Sequence, residues 1–265
     1  MDKIIFYAKN ISELLTILKN NPGTKIVGGC TKIEEFPDKA ISTLNIKDLN
    51  QIIRHERYLD VGPGVTLSRI LEVGQNHLPQ VLYDALKTIA NPLIRNIATI
   101  GGNILSPDQQ LTLHAPLLAL DARLEFKNGN DTKNIMIRNF DEIPEGYVLS
   151  NIKIPLLDSD VSVFRRIGPE NSITPYSAAF AFTASIEKNS LLNAKLTFAG
   201  PFTFQSNELE NSLMGRRIPL NLRDIVEITE LVEKEFDKAA TDQMIAEEVR
   251  QQFLNLARYS FEQLT

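Results

Sequence analysis

Two pairs of adjacent glycines stand out: Gly28-Gly29, directly after the apolar run Lys25-Ile26-Val27, and Gly101-Gly102 inside Thr99-Ile100-Gly101-Gly102-Asn103. Adjacent glycines let backbone N–H groups converge with no Cβ in the way, and such a concave row of donors suits a pyrophosphate. Thr31, Thr99 and Asn103 add short side-chain donors for phosphate or hydroxyl oxygens. A glycine pair alone more often marks a plain turn; here each pair falls at a predicted strand exit. Neither loop has the spacing of a Walker loop or of a Gly-x-Gly-x-x-Gly turn, so a nucleotide bound here is bound in another way.

Other reactive residue types offer little. His55, His77 and His114 lie far apart and in no metal-ligand spacing, which makes each a surface or packing histidine. The single cysteine, Cys30, leaves no intrachain disulfide, no Cys-ligated iron–sulfur cluster and no Cys-rich zinc site. No Ser-His-Asp set or paired carboxylates are visible, so no catalytic and no metal-binding residues are proposed. Asp121 suits a helix-to-strand turn, and Glu227, Glu230, Glu233 and Glu235 read as one solvated helix face.

The elements that would position the glycine loops can be read from periodicity. Ile4 to Tyr7 is a short strand, Asn10 caps a helix carrying Ile11, Leu14, Leu15 and Leu18 on one face, and Lys25 to Val27 and Ile41 to Ile46 complete a small βαβ-like unit. From Tyr58 the chain reads strand, turn and a helix capped by Thr66, with a second helix over Pro79 to Ile89. After Pro107 a helix ends near Leu120, and a hairpin of Arg123 to Phe126 and Asn134 to Arg138 turns at Asn128-Gly129-Asn130. Val148 to Ile154 is a further strand. Val161 to Ile167, Ala178 to Ile186 and Leu192 to Phe198 predict an antiparallel sheet, followed by helices over Leu222 to Ala239 and, capped by Thr241, over Asp242 to Leu264. The boundary between an N-terminal domain of residues 1–157, in lobes 1–57 and 58–157, and a C-terminal domain of residues 158–265 falls near Leu156 to Asp160.

Composition is that of an ordinary globular chain, 43% hydrophobic and 23% charged, and 265 residues favour two lobes over one. A net charge of −5 with interspersed signs gives no basic stripe for a nucleic acid. The opening residues are too short an apolar run for a signal peptide and no stretch is long enough for a membrane span, which leads us to expect a cytoplasmic protein with no membrane partner.

The surroundings of the glycine pairs carry a family resemblance. Lys25-Ile26-Val27-Gly28-Gly29-Cys30-Thr31-Lys32-Ile33 resembles the first FAD loop of the flavoprotein subunits of xanthine and carbon monoxide dehydrogenases, and the stretch Ile94 to Ile104 closely resembles their second. Val61 to Thr66, Ala115 to Ala122, Ile152 to Pro155 and Leu213-Met214-Gly215-Arg216 match in order and spacing. The resemblance implies an α+β fold: a two-lobed N-terminal FAD-binding domain of the PCMH type, then a C-terminal domain with a three-stranded antiparallel sheet and helices. It implies an oxidoreductase subunit of a molybdenum hydroxylase in which electrons pass from iron–sulfur clusters on one partner chain, fed by a molybdopterin-binding chain, through FAD to an acceptor such as NAD. A degenerate, weakly flavin-binding scaffold subunit of such a complex is the alternative.

By the same resemblance, Ile26, Val27, Gly28, Gly29, Cys30, Thr31, Lys32 and Ile33 would wrap the pyrophosphate and ribityl, and Thr99, Ile100, Gly101, Gly102 and Asn103 would complete the clamp. Leu149 or Ser150 would sit near the adenosine, and Arg165 stands where many relatives carry a cofactor-contacting Lys. The family's Asp shortly after the second loop is replaced by Leu111, Thr112 or Leu113, with Asp108 out of register.

Overall fold

A computed structural model describes residues 3–33, 35–106, 112–169, 172–241 and 245–265. In chain order its main elements are β1 (Ile4–Tyr7), α1 (Ile11–Asn20), β2 (Lys25–Val27), β3 (Lys39–Ser42), β4 (Ile52–Arg54), β5 (Tyr58–Val61), α2 (Leu67–Leu71), α3 (Gln80–Thr88), α4 (Pro92–Arg95), α5 (Ile100–Ile104) and α6 (His114–Ala119). There follow β6 (Arg123–Asn128), β7 (Asp131–Met136), β8 (Val148–Pro155), β9 (Val161–Ile167), β10 (Ala178–Glu187), β11 (Ser190–Ala199), β12 (Thr203–Gln205), α7 (Asn207–Leu213), α8 (Leu222–Ala239) and α9 (Glu247–Glu262). They form two units: Met1–Gly74 with Ala90–Leu105 and Asp121–Leu156, and Gln75–Ile89 with Ser106–Leu120 and Leu157–Thr265.

The first unit holds two sheets. In the first, β1 and β2 flank β3 and both run parallel to it. Helix α1 starts where predicted because Asn10 accepts from the Glu13 amide at 2.9 Å while the Glu13 carboxylate accepts from the Lys9 amide. Leu14 enters a core with Ala8, Ile41, Ile46, Leu49 and Val148. The second sheet is antiparallel, in the order β4-β5-β8-β6-β7. Its β6–β7 hairpin turns at Gly129 with φ +56°, and left-handed Asp121 just before β6 accepts from Arg138 at 2.5 Å. Asp121 thus serves the turn, as its sequence position suggests.

The second unit is built on an antiparallel sheet ordered β12-β11-β10-β9. Strands β9, β10 and β11 follow the predicted runs, and left-handed Lys188 and Asn189 make the turn between the last two. The sheet has a fourth strand where three are expected, since β12 has only three residues, too few for a period to be read. Helix α9 also differs: it begins at Glu247 behind Ala246, while the Thr241 hydroxyl donates to the Asp237 and Lys238 carbonyls and so closes α8. Among the described residues no helix is long and apolar enough to cross a membrane.

Helices α8 and α9 cover the sheet through a cluster of phenylalanines. Phe236 and Phe253, both with no exposure, stack at 4.1 Å and an interplanar angle of 21°, with Phe198 and Phe204 set edge-on to the pair. At the outer edge Arg250 donates to Asp237 at 2.7 and 2.8 Å and to Glu233 at 2.7 Å. The Arg250 hydrogen bond holds the Asp237 carboxyl below the usual carboxylate range, with burial opposing it.

Two outcomes follow. Phe236→Ala should lower the unfolding free energy by about 3–5 kcal/mol in a denaturant titration, and a loss below about 1 kcal/mol would show that the cluster does not anchor this unit. A folded pKa depressed at Asp237 means that the pair stabilises fully above the unfolded carboxyl value and loses its effect as pH falls through the lower folded value. The melting temperature of Asp237→Asn should therefore lie below that of the unmodified protein at pH 7 and converge with it below about pH 4; a constant gap down to acid pH would refute the assignment.

Candidate functional site

The first glycine loop begins where the parallel sheet stops. Val27 closes the ladder by accepting from the Thr43 amide at 3.0 Å and its hydroxyl at 3.3 Å. Beyond it, the backbone N–H groups of Gly28, Gly29, Cys30 and Thr31 donate to no protein acceptor among the described residues. Gly28 and Gly29 are half-buried, and Cys30 turns the chain with φ +55°, a left-handed conformation uncommon outside glycine. A left-handed residue within a run of unbonded amides is the backbone pattern that receives an anion. The Cys30 thiol points back at the Gly28 carbonyl at 3.4 Å, and burial pushes its pKa up, so at neutral pH it is a thiol rather than a nucleophilic thiolate.

The second loop presses against the first. A Cβ placed on Gly29 would lie 1.7 Å from the Ile97 carbonyl oxygen, and one on Gly28 would lie 2.7 Å from the Thr99 hydroxyl. Both glycines are therefore needed for the approach of the two loops, whatever else they do. The amides from Ile100 to Asn103 are engaged: Ile100 donates to Val65 at 3.0 Å, Gly101 to Pro63 at 2.9 Å, Gly102 to the Thr99 hydroxyl at 3.1 Å and Asn103 to the Thr99 carbonyl at 3.0 Å. The expectation that both glycine pairs present free donors thus holds for the first pair alone. What the second loop retains is exposed Gly102 and the Asn103 side chain, whose Oδ1 is buried without a hydrogen-bond partner.

A third segment, Pro63 to Thr66, belongs to the same assembly and was not among the expected site residues. Besides receiving the Gly101 and Ile100 amides, it pairs Thr66 with Thr99, and the Leu67 amide donates to Ala98 at 2.9 Å. Gly62 just before it and Gly64 within it admit no side chain, since a Cβ would meet the Leu49 carbonyl oxygen at 2.4 Å or the Asn50 side chain at 2.7 Å. These two glycines were the available signal.

The remaining expected residues are spread more widely. Ile26 is exposed and Val27 buried on β2, while Thr31, Lys32 and Ile33 are exposed beyond the glycines. Leu149 and Ser150 lie buried on β8, at the bulge where Glu125 pairs with Asn151 but Phe126 with Leu149. The Ser150 hydroxyl donates into that bulge, to the Glu125 carbonyl and carboxylate at 3.0 and 2.8 Å, so its hydrogen-bonding is satisfied by the sheet. Arg165 is exposed on β9 of the second unit and donates to the Phe164 carbonyl at 2.7 Å. Thr112 and Leu113 are buried, whereas Asp108 and Leu111 lie outside the described residues. His55 pairs with Asp60 at 3.0 Å and stacks on Tyr58, and among the described residues no group of His, Cys, Asp or Glu could hold a metal ion.

Comparison with known proteins agrees with this geometry. The xanthine dehydrogenase FAD-binding subunit of Escherichia coli O157:H7 is 24% identical over 252 residues, covering 85% of this chain and 83% of its own. The glyceraldehyde dehydrogenase medium chain of Sulfolobus acidocaldarius is 22% identical over 229 residues, 80% of each chain. A chain of the reconstituted CO dehydrogenase from Oligotropha carboxidovorans shares the fold with a TM-score of 0.80 at 18% identity, over 100% of this chain and 96% of that one. Residues 2–157, which contain both glycine loops and the segment that laces them, match the family model described as the FAD binding domain in molybdopterin dehydrogenase, and the chain belongs to that family.

Proposed function

We propose that this chain is the flavoprotein component of a molybdopterin-dependent dehydrogenase, holding FAD between electron-donating partner chains and a terminal acceptor. The observation that carries the reading is the run of four unbonded amides from Gly28 to Thr31, set against the Ile97 carbonyl and the Thr99 side chain by glycines that leave no room for a Cβ. FAD carries a diphosphate, and this loop offers what a diphosphate needs: unbonded neutral donors in succession at a left-handed turn. The buried, unpartnered Asn103 Oδ1 fits a hydroxyl donor of the same ligand, since an acceptor left unpaired in the interior carries a desolvation cost that a ligand hydroxyl would remove. Bound FAD would supply the electron-transfer chemistry through its ring, with the protein binding and orienting it. Ile26 to Ile33 would line the diphosphate and ribityl and Thr99 to Asn103 would wall the opposite side, while Leu149, Ser150 and Arg165 are added by the family resemblance alone.

We place the iron–sulfur clusters and the molybdopterin on separate chains, in keeping with relatives named as a medium chain and a FAD-binding subunit; the one cysteine here does not supply the ligands of a cluster. NAD is the acceptor we propose, and the cytoplasm the compartment.

Titrating the full chain with FAD, followed by flavin fluorescence and the visible spectrum, should show saturable binding. Gly29→Ala should weaken it by at least about a hundredfold, because the new methyl collides with a main-chain carbonyl and parts the loops. Gly102→Ala, whose Cβ would meet only the Thr99 hydroxyl at 3.0 Å, should cost far less. No binding by the unmodified protein in excess FAD would rule out an autonomous flavoprotein and favour the scaffold alternative.

A further inference from the structure

Both glycine loops trace back to one side chain that faces neither of them. The Asn50 amide nitrogen donates to the carbonyls of Thr43 and Ile46, each at 2.8 Å, and of Leu44 at 3.4 Å. Thr43 is the residue whose amide and hydroxyl both end on Val27, immediately before the unbonded run at Gly28. On the other side, Gly64 lies flat against the Asn50 amide group, and its own N–H donates to the neighbouring Leu49 carbonyl at 2.7 Å. From Gly64 the path is one residue long in each direction, through Pro63 to the Gly101 amide and through Val65 to the Ile100 amide. The Asn50 carbonyl is itself held by Arg69 at 2.8 Å.

We propose that Asn50 is a positioning residue that sets the separation of the Gly28–Thr31 amides from the Thr99–Asn103 turn, and through it the affinity for FAD, without touching the cofactor. The proposal rests on the reading of the Gly28–Thr31 loop as the diphosphate site. The side chain suits the role chemically. Three carbonyl oxygens converge on its one nitrogen, so only a donor is tolerated, while the flat amide lets the Gly64 backbone lie against it. Asn50→Asp keeps the shape and replaces the donor by an acceptor that repels all three carbonyls, which releases the Thr43 segment and with it Val27.

The test is FAD titration of the full chain in four forms: unmodified, Asn50→Asp, Asn50→Ser and Leu14→Ala, each at a temperature well below its own melting transition. Leu14→Ala opens the core that Ile46 and Leu49 share but removes none of the hydrogen bonds just described, and so reports what loosening that core does while the Asn50 donor is kept. Asn50→Asp should bind FAD at least about tenfold more weakly and with an altered visible circular dichroism of the bound flavin, while Leu14→Ala should melt lower yet bind within about twofold of the unmodified protein. Asn50→Ser, a shorter donor, should fall between the two and carries the comparison should Asn50→Asp not fold. Binding unchanged by both Asn50 substitutions, or lost in all three variants in step with their melting temperatures, would overturn the positioning role while leaving the loop assignment intact. Failure of the unmodified protein to bind FAD would instead strike the loop assignment, and this proposal with it.

Discussion

The first unit depends on one close approach of main chain to main chain: the α-carbon of Gly29 against the carbonyl of Ile97, a spacing at which any side chain would overlap the oxygen. The proximity is permitted by the missing Cβ, while the carbonyls of Pro63, Val65 and Ala98 accept from the Gly101, Ile100 and Leu67 amides and fasten the second loop to its neighbouring segment. Because such bonds are short-range and directional, the arrangement is rigid in separation while presenting little bulk of its own.

This constraint divides the labour between the glycine pairs. The second pair is structural, and its donors are consumed, Gly101 by the Pro63 carbonyl and Gly102 by the Thr99 hydroxyl. The first pair, fastened only through its lack of side chains, keeps its donors. An unpaired amide partly withdrawn from water has a lower free energy with an acceptor than without one, and four in succession favour a ligand with several anionic oxygens. The lining is neutral main chain, so the attraction depends on dipole orientation more than on net charge, in accord with a chain whose formal charge is −5.

Much of this was legible in the residue order, and the parts that were not have physical reasons. The caps at Asn10 and Thr66 and the hairpin at Gly129 are local events with side chains that announce them. Strand β12 is too short to show a period, and Ala246 has no polar atom with which to mark the start of α9. The glycine loops were readable because a missing Cβ is a property of the residue itself. Which amides are free is not, since a main-chain donor has the same identity everywhere and its partner is fixed only by the fold. Asn50 escaped notice for a similar reason: its partners are carbonyls of Thr43, Leu44 and Ile46, and any residues there would have served.

The five-stranded sheet of the first unit has a consequence for how the chain is made. Strand β8 pairs with both β5 and β6, and its first residue, Val148, enters the core around Leu14 and Ile41 near the start of the chain. During synthesis β5, β6 and the N-terminal core therefore wait for a strand translated some ninety residues after β5, while the segments between them contribute elements to the other unit. The lobe that carries both glycine loops cannot close from the N-terminus as it emerges. Its pairing is long-range in sequence, which raises the contact order and leaves strand edges unpaired until Pro155 has been made.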